Sequence, residues 1–297
     1  MIGQILVDGV TSGAMIGLGA IGLTLTYGLL RFANFAHGEF ATWGAYLALL
    51  AAGALGSAEP LGQLTFGWPL IVALAVSMAL TAALALALDA VLFRRLRRHG
   101  NAIVLVIASF GASLALRSAV EFLFGPEPYY YTHEIAMTLR LAPGMRATAD
   151  QIVVLGVALA LMLGLHLVMM RTPLGRAMRA VSENPDLARL AGIDTARVLR
   201  ATWMIGGALA AAAGVFLGIT VQIRPSMGFE LLLPLFAAAI LGGIGSVPGA
   251  MVGGLVIGIA EAASVPLAGA QYRAAVAFVV MLAMLLVRPR GLFGGRA

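Results

Sequence analysis

The sequence of 297 residues contains no cysteine and no lysine, and only 11% of its residues are charged. Without cysteine the chain forms no disulfide, has no thiolate nucleophile and builds no cysteine metal site. Without lysine it cannot carry the G-x-x-x-x-G-K-[ST] loop that holds the phosphates of ATP. No nucleophile–base pair or metal cluster stands out either. We therefore expect neither an enzyme nor a bound cofactor.

The low charge content also excludes a water-soluble domain, in which about 25% of residues are charged. Hydrophobic residues make up 61% of the chain. The apolar runs are longer than barrel strands and do not alternate with polar residues. Composition thus predicts an all-α integral membrane protein in a lipid bilayer, with residues 1–297 as a single transmembrane domain. The expected architecture is a polytopic bundle of about eight transmembrane helices, with short or broken helices near the C-terminal end.

Apolar runs predict full spans at 9–30, 36–55, 68–93, 102–124, 151–170, 201–221 and 271–287. Before the last of these, 231–241 is too short to cross a hydrocarbon core of about 30 Å. A further run, 250–267, follows it after a glycine-rich break. We predict seven full spans plus one broken or re-entrant pair, or nine crossings if each short piece spans.

Arginine supplies all 19 basic residues, and the net charge is +6. The arginines concentrate in 94–98, 171–200 and 288–296, which the positive-inside rule assigns to the cytoplasm. The C-terminus is then predicted to be cytoplasmic and the N-terminus external. Membrane topology accounts for the positive charge, so nucleic acid is not an expected partner. The first basic residue, Arg31, follows the first apolar run, and no signal peptide is predicted.

The longest polar segment, 171–200, contains the pattern of a short helix. Asn184 can cap it by accepting from orphan N–H groups of the first turn. Pro185 suits the first helical position, Asp186 suits the positive end of the helix dipole, and Gly192 suits a left-handed stop. The spacing alone fits two interpretations equally, an incidental helical turn in a cytoplasmic loop and a helix that docks into a soluble partner.

A second polar segment, 31–40, separates the first two predicted spans. Asn34 is a candidate cap for the second span. His37 and Glu39 form an H-x-E pattern, which occurs in zinc deaminases together with a P-C-x-x-C. Because the chain has no cysteine, we favour a hydrogen-bonded turn at the membrane interface over a metal site.

Glycines at four-residue intervals predict close helix contacts. Gly9, Gly13 and Gly17 form such a stripe in the first span. A glycine-rich break covers 242–254, and 12–22 aligns with 248–258 without a gap, which suggests internal repetition. The candidates for helix packing or for the pathway are Gly13, Gly17, Asn34, His37, Glu39, Gly242, Gly243, Gly245, Gly249 and Gly253.

Ionisable residues inside the apolar segments are few. Arg117 and Glu121 can pair at i, i+4 on one helix. Glu261 is the only acid well inside a late apolar segment, and it is a functional candidate unless it lies near an interface, close to Arg273. An ion-coupled secondary transporter would need more such groups. The spans therefore indicate a pathway whose energy comes from another protein.

Four motifs together resemble the bacterial branched-chain amino acid ABC transporter permeases, in particular the shorter of the two paired permease types. They are YGLLRFANFAHGEFATWGAY (27–46), RTPLGRAMRAVSENPDLARLAGID (171–194), AAAILGGIGSVPGAMVGGLVIG (237–258) and RPRGLFG (288–294). The resemblance covers nearly the whole chain in the expected order. It implies a permease domain whose coupling helix docks on the ATPase. The matching positions of that helix are Glu183, Asn184, Pro185, Asp186, Ala188 and Gly192.

The resemblance also implies partners and a location. It implies a second, homologous permease subunit, two cytoplasmic ATPase subunits that bind the ATP, and an external substrate-binding protein. The location would be the bacterial inner membrane. Because the family includes urea and short-chain amide permeases, and more distantly sugar permeases, these motifs leave the substrate open between an amino acid and an amide.

Overall fold

The computed structural model describes residues 2–56, 59–97, 101–132, 134, 136–289 and 291–294. Helices dominate this part of the chain, in the order α1 (Ile2–Leu30), α2 (His37–Leu55), α3 (Trp68–Leu88), α4 (Arg94–Leu96), α5 (Ala102–Phe124), α6 (Ala149–Arg171), α7 (Pro173–Glu183), α8 (Pro185–Leu190), α9 (Thr195–Thr220), α10 (Met227–Gly242), α11 (Val247–Ala268) and α12 (Arg273–Val287). A π-helical turn, Asp89–Phe93, joins α3 to α4.

Seven helices in the described ranges are long and apolar enough to cross a membrane, which confirms an all-α polytopic bundle. They are α1, α3 with its extension to Leu96, α5, α6, α9, α11 and α12 with its preceding turn. Seven is also the predicted number of full spans, but this set contains α11 in place of α2. The 250–267 run, predicted as part of a short pair, lies within the full-length α11, whereas α2 is outside this set of seven.

The start of α2 lies beside the middle of α1. His37, its first residue, contacts the Gly19 carbonyl oxygen through Nε2 at 3.0 Å. Gly19 lies eleven residues before the end of α1, which is about 16 Å along the helix axis. The segment 31–36 therefore runs back along α1, and α2 starts inside the bundle.

The shorter helix α10 begins in the same region. Its first turn meets the first turn of α2, where Gly38 and Gly228 are in backbone contact. The Gly228 N–H donates to Thr42 Oγ1 at 3.0 Å. His37 follows the end of α1 by seven residues, as Met227 follows the end of α9. Two helices that begin inside the bundle thus meet at their N-termini.

The helix contacts around this meeting point are two-fold pseudo-symmetric. α1 and α9 run antiparallel, because Met15 lies beside Thr220 and Gly22 beside Gly206. α1 packs on α11 as α9 packs on α3, and α2 packs on α3 as α10 packs on α11. The contact pattern therefore pairs α1 with α9 as equivalent elements.

The aligned segments 12–22 and 248–258 have a different relationship. They lie on α1 and α11 and face each other, with Gly13 against Gly254 and Gly258, and Gly17 against Gly254. Their similarity follows from their position on the two sides of one close interface, where small residues are needed on both helices. The packing role predicted for Gly13 and Gly17 is confirmed.

A small hairpin lies between α5 and α6. β1 (Thr138–Ala142) and β2 (Met145–Thr148) pair antiparallel, and Gly144 has a φ of +80° in the turn. The Arg146 N–H donates to Gln4 Oε1 at 3.0 Å, which ties the hairpin to the start of α1. Strands this short were not apparent in the sequence.

We expect Gly254→Ala to lower the free energy of unfolding by about 2 kcal/mol, because its methyl group would overlap the backbone of Gly17. Thermal unfolding in detergent measures the effect. The control is Gly156→Ala, a helical glycine of α6 with open space around it, which should be neutral or slightly stabilising. Equal stabilities of the two variants would contradict the close interface.

Candidate functional site

The polar segment 171–200 folds into two short helices and the start of a third. Asn184 ends α7 and caps α8, since its Oδ1 accepts from the N–H groups of Asp186 at 3.1 Å and Leu187 at 3.0 Å. Pro185 occupies the first position of α8. The predicted helix start is confirmed. The predicted loop extends too far, because α9 already begins at Thr195.

The end of α8 was also predicted correctly. Gly192 has a φ of +82°. The Ile193 N–H donates to the Ala188 carbonyl at 3.0 Å, and the Gly192 N–H donates to the Arg189 carbonyl at 3.0 Å. This pair of bonds is the Schellman motif, which turns the chain sharply at a left-handed glycine. Ala188 is the buried residue of α8. It marks the inner face of the helix, which packs against the protein.

The cap of α9 follows directly after this turn. Asp194 Oδ1 accepts from the Arg197 N–H at 3.0 Å. That backbone hydrogen bond lowers the pKa of the Asp194 carboxyl below its usual value. The contribution of this cap to the stability of α9 is therefore present at neutral pH, and it is lost only as the pH falls through the lowered pKa of Asp194.

The outer face of α8 carries two exposed leucines. Leu187 is 63% exposed and Leu190 is 86% exposed. Asp186 and Arg189 lie near them and form an exposed ion pair of 3.4 Å. An apolar pair at i, i+3 within a charged helix is a signal that the sequence interpretation missed. Such side chains are typical anchors of a helix that inserts into a partner.

Arg31 connects this region to the transmembrane core. Its guanidinium Nη2 lies 3.4 Å from the Ser182 carbonyl and 3.5 Å from the Glu183 carbonyl at the end of α7. Arg31 has a φ of +54°, a left-handed conformation that is uncommon outside glycine. The residue that begins the segment 31–36 is thus fixed to the residues that precede α8.

Behind α8 there is an open space. A cavity of 590 Å³ separates Pro185 and Arg189 from the end of α3, where Asp89 and Arg97 form a 2.7 Å ion pair. α8 is therefore held at its two ends and is not packed along its whole length. We call the end of the bundle that carries α8, Arg31 and Arg97 the arginine-rich end.

The second predicted site, 31–40, lies where α2 and α10 meet. Glu39 is fully buried. Its Oε1 accepts from Ser113 Oγ on α5 at 3.2 Å, and its Oε2 accepts from Thr42 Oγ1 at 3.2 Å. Thr42 Oγ1 in turn accepts from the Gly228 N–H of α10. One carboxylate thus links three helices, and the positive ends of the α2 and α10 dipoles both favour its negative charge.

His37 and Glu39 point in different directions. His37 is bonded to α1, whereas Glu39 is bonded to α5 and to Thr42. In the described ranges no group of three or more His, Cys, Asp or Glu side chains could hold a metal ion. The hydrogen-bonded turn that we favoured is present, but both side chains are fully buried, and its expected location at the membrane interface was wrong.

The predicted cap of the second span was also wrong in its position. Ala36 is the N-cap residue of α2. Asn34 lies two residues earlier, and its Oδ1 accepts from the Ala36 N–H at 3.2 Å. It therefore closes the turn that leads into α2 and does not cap the helix.

The glycine-rich break is the tight connection between α10 and α11. Gly242 and Gly249 are in backbone contact, and Gly253 contacts the backbone of Ala238. Gly243 and Gly245 have φ values of +98° and +88°. These glycines pack helices and turn the chain.

The C-terminal motif completes this connection. The N–H groups of Leu292 and Phe293 donate to the carbonyls of Leu241 at 2.8 Å and Gly242 at 3.0 Å. These carbonyls at the end of α10 have no partner within the helix itself. Gly291, with a φ of +75°, contacts Gly243. The motif at 288–294 therefore caps α10.

The remaining charged candidates lie toward the opposite end of the bundle. Arg117 Nε and Glu121 Oε1 are 3.1 Å apart, which confirms the predicted pair. Glu261 is 8% exposed and lines a cavity together with Arg273.

A family model described as branched-chain amino acid transport system / permease component matches residues 5–285. The chain belongs to this family. The resemblance drawn from the four motifs is therefore confirmed over nearly the whole length of the chain.

Three relatives of this permease family match along most of their length. The high-affinity branched-chain amino acid transport system permease protein BraD of Pseudomonas aeruginosa is 37% identical over 296 residues, which is 98% of this chain and 95% of BraD. LivH of Escherichia coli K12 is 35% identical, with the same coverage of both chains. The probable LivH of Methanocaldococcus jannaschii is 30% identical and covers 93% of this chain and 87% of its own. All three are named as transport permeases.

In this permease we expect Glu39 and Ser113 to be energetically coupled. A double-mutant cycle with Glu39→Ala and Ser113→Ala should give a coupling energy of about 1–2 kcal/mol, because the hydrogen bond joins two fully buried polar groups. Unfolding in detergent provides the four stabilities. The exposed Arg117–Glu121 pair serves as the control cycle and should give less than about 0.5 kcal/mol. Additive effects of the Glu39 and Ser113 substitutions would contradict the link.

Proposed function

We propose that this chain is a membrane-spanning permease subunit of an ABC importer for branched-chain amino acids, and that α8 is its coupling helix. The observation that carries the proposal is a capped helix with a buried inner face and two exposed leucines, at the arginine-rich end of a family member. Glu183, Asn184, Pro185, Asp186, Ala188 and Gly192 define that helix and the turns at its ends.

The ATPase contact is assigned to the outer face of α8. Leu187 and Leu190 supply apolar anchors, and apolar side chains exposed beside charged ones are typical of interaction sites. Asn184 and Gly192 fix the ends of the helix, so that a force applied to the leucines moves α8 as one body. The cavity behind Pro185 and Arg189 leaves room for such a movement.

The structure suggests a route from α8 to the pathway. Arg31 is bonded to the end of α7 and begins the segment 31–36. That segment leads into α2, whose Glu39 contacts α5 and, through Thr42, reaches α10. A shift of α8 on ATP binding would therefore displace the meeting point of α2 and α10. Such rigid-body movement is a common basis of switching.

The partners follow from this assignment. A second, homologous permease subunit would pair with this chain, two ATPase subunits would bind at the arginine-rich end, and a substrate-binding protein would deliver the substrate at the opposite end. The arginine-rich end would face the cytoplasm of a bacterial inner membrane, as the positive-inside rule favours. The N-terminus would then be external and the C-terminus cytoplasmic.

The names of the three relatives support branched-chain amino acids as the substrate over urea or a short-chain amide. An ion-coupled secondary transporter is less well supported, because transporters of that type place several charged groups on the pathway. Glu39, the buried acid at the centre of the bundle, is instead bonded to two hydroxyl groups.

We expect Leu190→Ser to reduce ATP-dependent uptake at least tenfold without unfolding the permease, because the side chain contributes to docking and not to the core. Copurification of the ATPase subunits and uptake into proteoliposomes measure the loss. Leu267→Ser is a matched control, since Leu267 at the end of α11 is 87% exposed and Leu190 is 86% exposed. Normal copurification and uptake with Leu190→Ser would reject α8 as the coupling helix.

Uptake of labelled leucine and, separately, of labelled urea tests the transport activity itself. Proteoliposomes containing both permeases and the ATPases, supplied with binding protein, should accumulate leucine when ATP is present on the ATPase side. The uptake should disappear when the ATPases are omitted. Leucine uptake driven by a proton gradient alone would instead indicate a secondary transporter, and preferred uptake of urea would indicate an amide permease.

A further inference from the structure

A large cavity opens at the end of the bundle opposite α8. We call it the distal cavity. It has a volume of 550 Å³ and lies between α1, the end of α9, α10, α11 and α12. Known small-molecule sites have volumes of about 300–1,000 Å³, with mostly apolar walls and a few polar groups. The distal cavity falls within this size range, and its walls combine apolar side chains with polar and charged ones.

One wall of the distal cavity carries an unsatisfied acid. Glu261 on α11 is 8% exposed, and its Oε1 has no hydrogen-bond partner among the described residues. A carboxylate withdrawn from water without a partner is costly. The position therefore calls for a ligand with a positive charge or a hydrogen-bond donor.

Two arginines line the same cavity. Arg273, at the start of α12, makes no ion pair within 4 Å with any described residue. Arg224 is paired with Glu230 through Nη2 at 2.9 Å, but its Nε is buried and lacks a partner within the described part of the chain. The cavity thus offers donors to an anion as well as an acceptor to a cation.

Apolar side chains complete the lining. Met15 and Ile16 come from α1, Leu217 from α9, and Met227 and Leu231 from α10. They form the surface against which an aliphatic side chain would pack. A simple cation would leave Arg273 unpaired, and a simple anion would leave Glu261 unpaired. A zwitterion with an aliphatic side chain satisfies both charges and the apolar wall.

We propose that the distal cavity is a binding site for a zwitterionic α-amino acid with an aliphatic side chain. Glu261 receives the ammonium group, and Arg273, assisted by Arg224 Nε, receives the carboxylate. The ligand class rests on the proposed function. The site adds to that function a place within this subunit where the amino acid is held after the binding protein releases it.

Ligand binding to the wild-type complex tests the charge requirement without any substitution. The complete membrane complex in nanodiscs, without binding protein, is titrated with labelled leucine by scintillation proximity. Leucine should bind at least tenfold more tightly than 4-methylpentanoate, which lacks the ammonium, and 3-methylbutylamine, which lacks the carboxylate. Equal binding of leucine and either analogue overturns the corresponding half of the site, and no leucine binding overturns the site altogether.

Substitutions then assign each charge to a residue. Glu261→Gln should weaken leucine binding at least tenfold and leave the binding of 4-methylpentanoate unchanged. Arg273→Gln should weaken leucine binding equally and leave the binding of 3-methylbutylamine unchanged. A general loss of folding would weaken the binding of every ligand. Glu261→Asp and Arg273→Lys keep the charge and should restore part of the affinity for leucine.

The matched control is Glu121→Gln. Glu121 lies toward the same end but outside the distal cavity, in the exposed pair with Arg117. If Glu261→Gln and Arg273→Gln bind leucine as tightly as Glu121→Gln does, the proposed site is wrong. If the wild-type complex still imports leucine, the proposed function stands. Absence of ATP-dependent leucine uptake by the wild type overturns the proposed function, and the binding assay still decides whether the site exists.

Discussion

Backbone-to-backbone contact between helices is the constraint on which this structure depends. At Gly38 and Gly228, and again where α11 meets α1, the helices are so close that no side chain fits between them. In a membrane, where lipid is as apolar as leucine, such close packing is a main source of helix association. The glycine contacts place the N-termini of two helices together inside the bundle. There, the Gly228 N–H donates to the Thr42 hydroxyl, which in turn donates to the Glu39 carboxyl group.

This arrangement explains why the polar residues of the chain lie where they do. A helix that begins within the bundle exposes unpaired N–H groups, which are costly in an apolar environment. Asn34 and Thr42 meet part of that need, because their side chains accept from the N–H groups of Ala36 and Gly228. Glu39 in turn accepts from the Thr42 hydroxyl. These residues are therefore structural supports for the two helices that begin inside the bundle, and through Arg31 they are connected to the surface helix α8.

The local features of the site were predictable from sequence, and the long-range ones were not. Asn184, Pro185 and Gly192 act on neighbouring backbone groups, so their spacing alone predicted both ends of α8. The family and the bundle were also predictable, from motifs and composition. The depth at which α2 begins depends on Gly19, eighteen residues away, and no local pattern reports it.

The segments 12–22 and 248–258 looked like copies because two facing surfaces need the same small residues. The exposure of Leu187 and Leu190 was not predicted, because it depends on which face of α8 is buried, and that face is the one that carries Ala188.

The bonds from Leu292 and Phe293 to the end of α10 have a consequence for the order in which the molecule can be assembled. Residues 291–294 leave the ribosome after every helix of the bundle. Until then the carbonyls of Leu241 and Gly242 lack these two donors. The connection between α10 and α11 therefore reaches its final form only after translation of the transmembrane helices has ended.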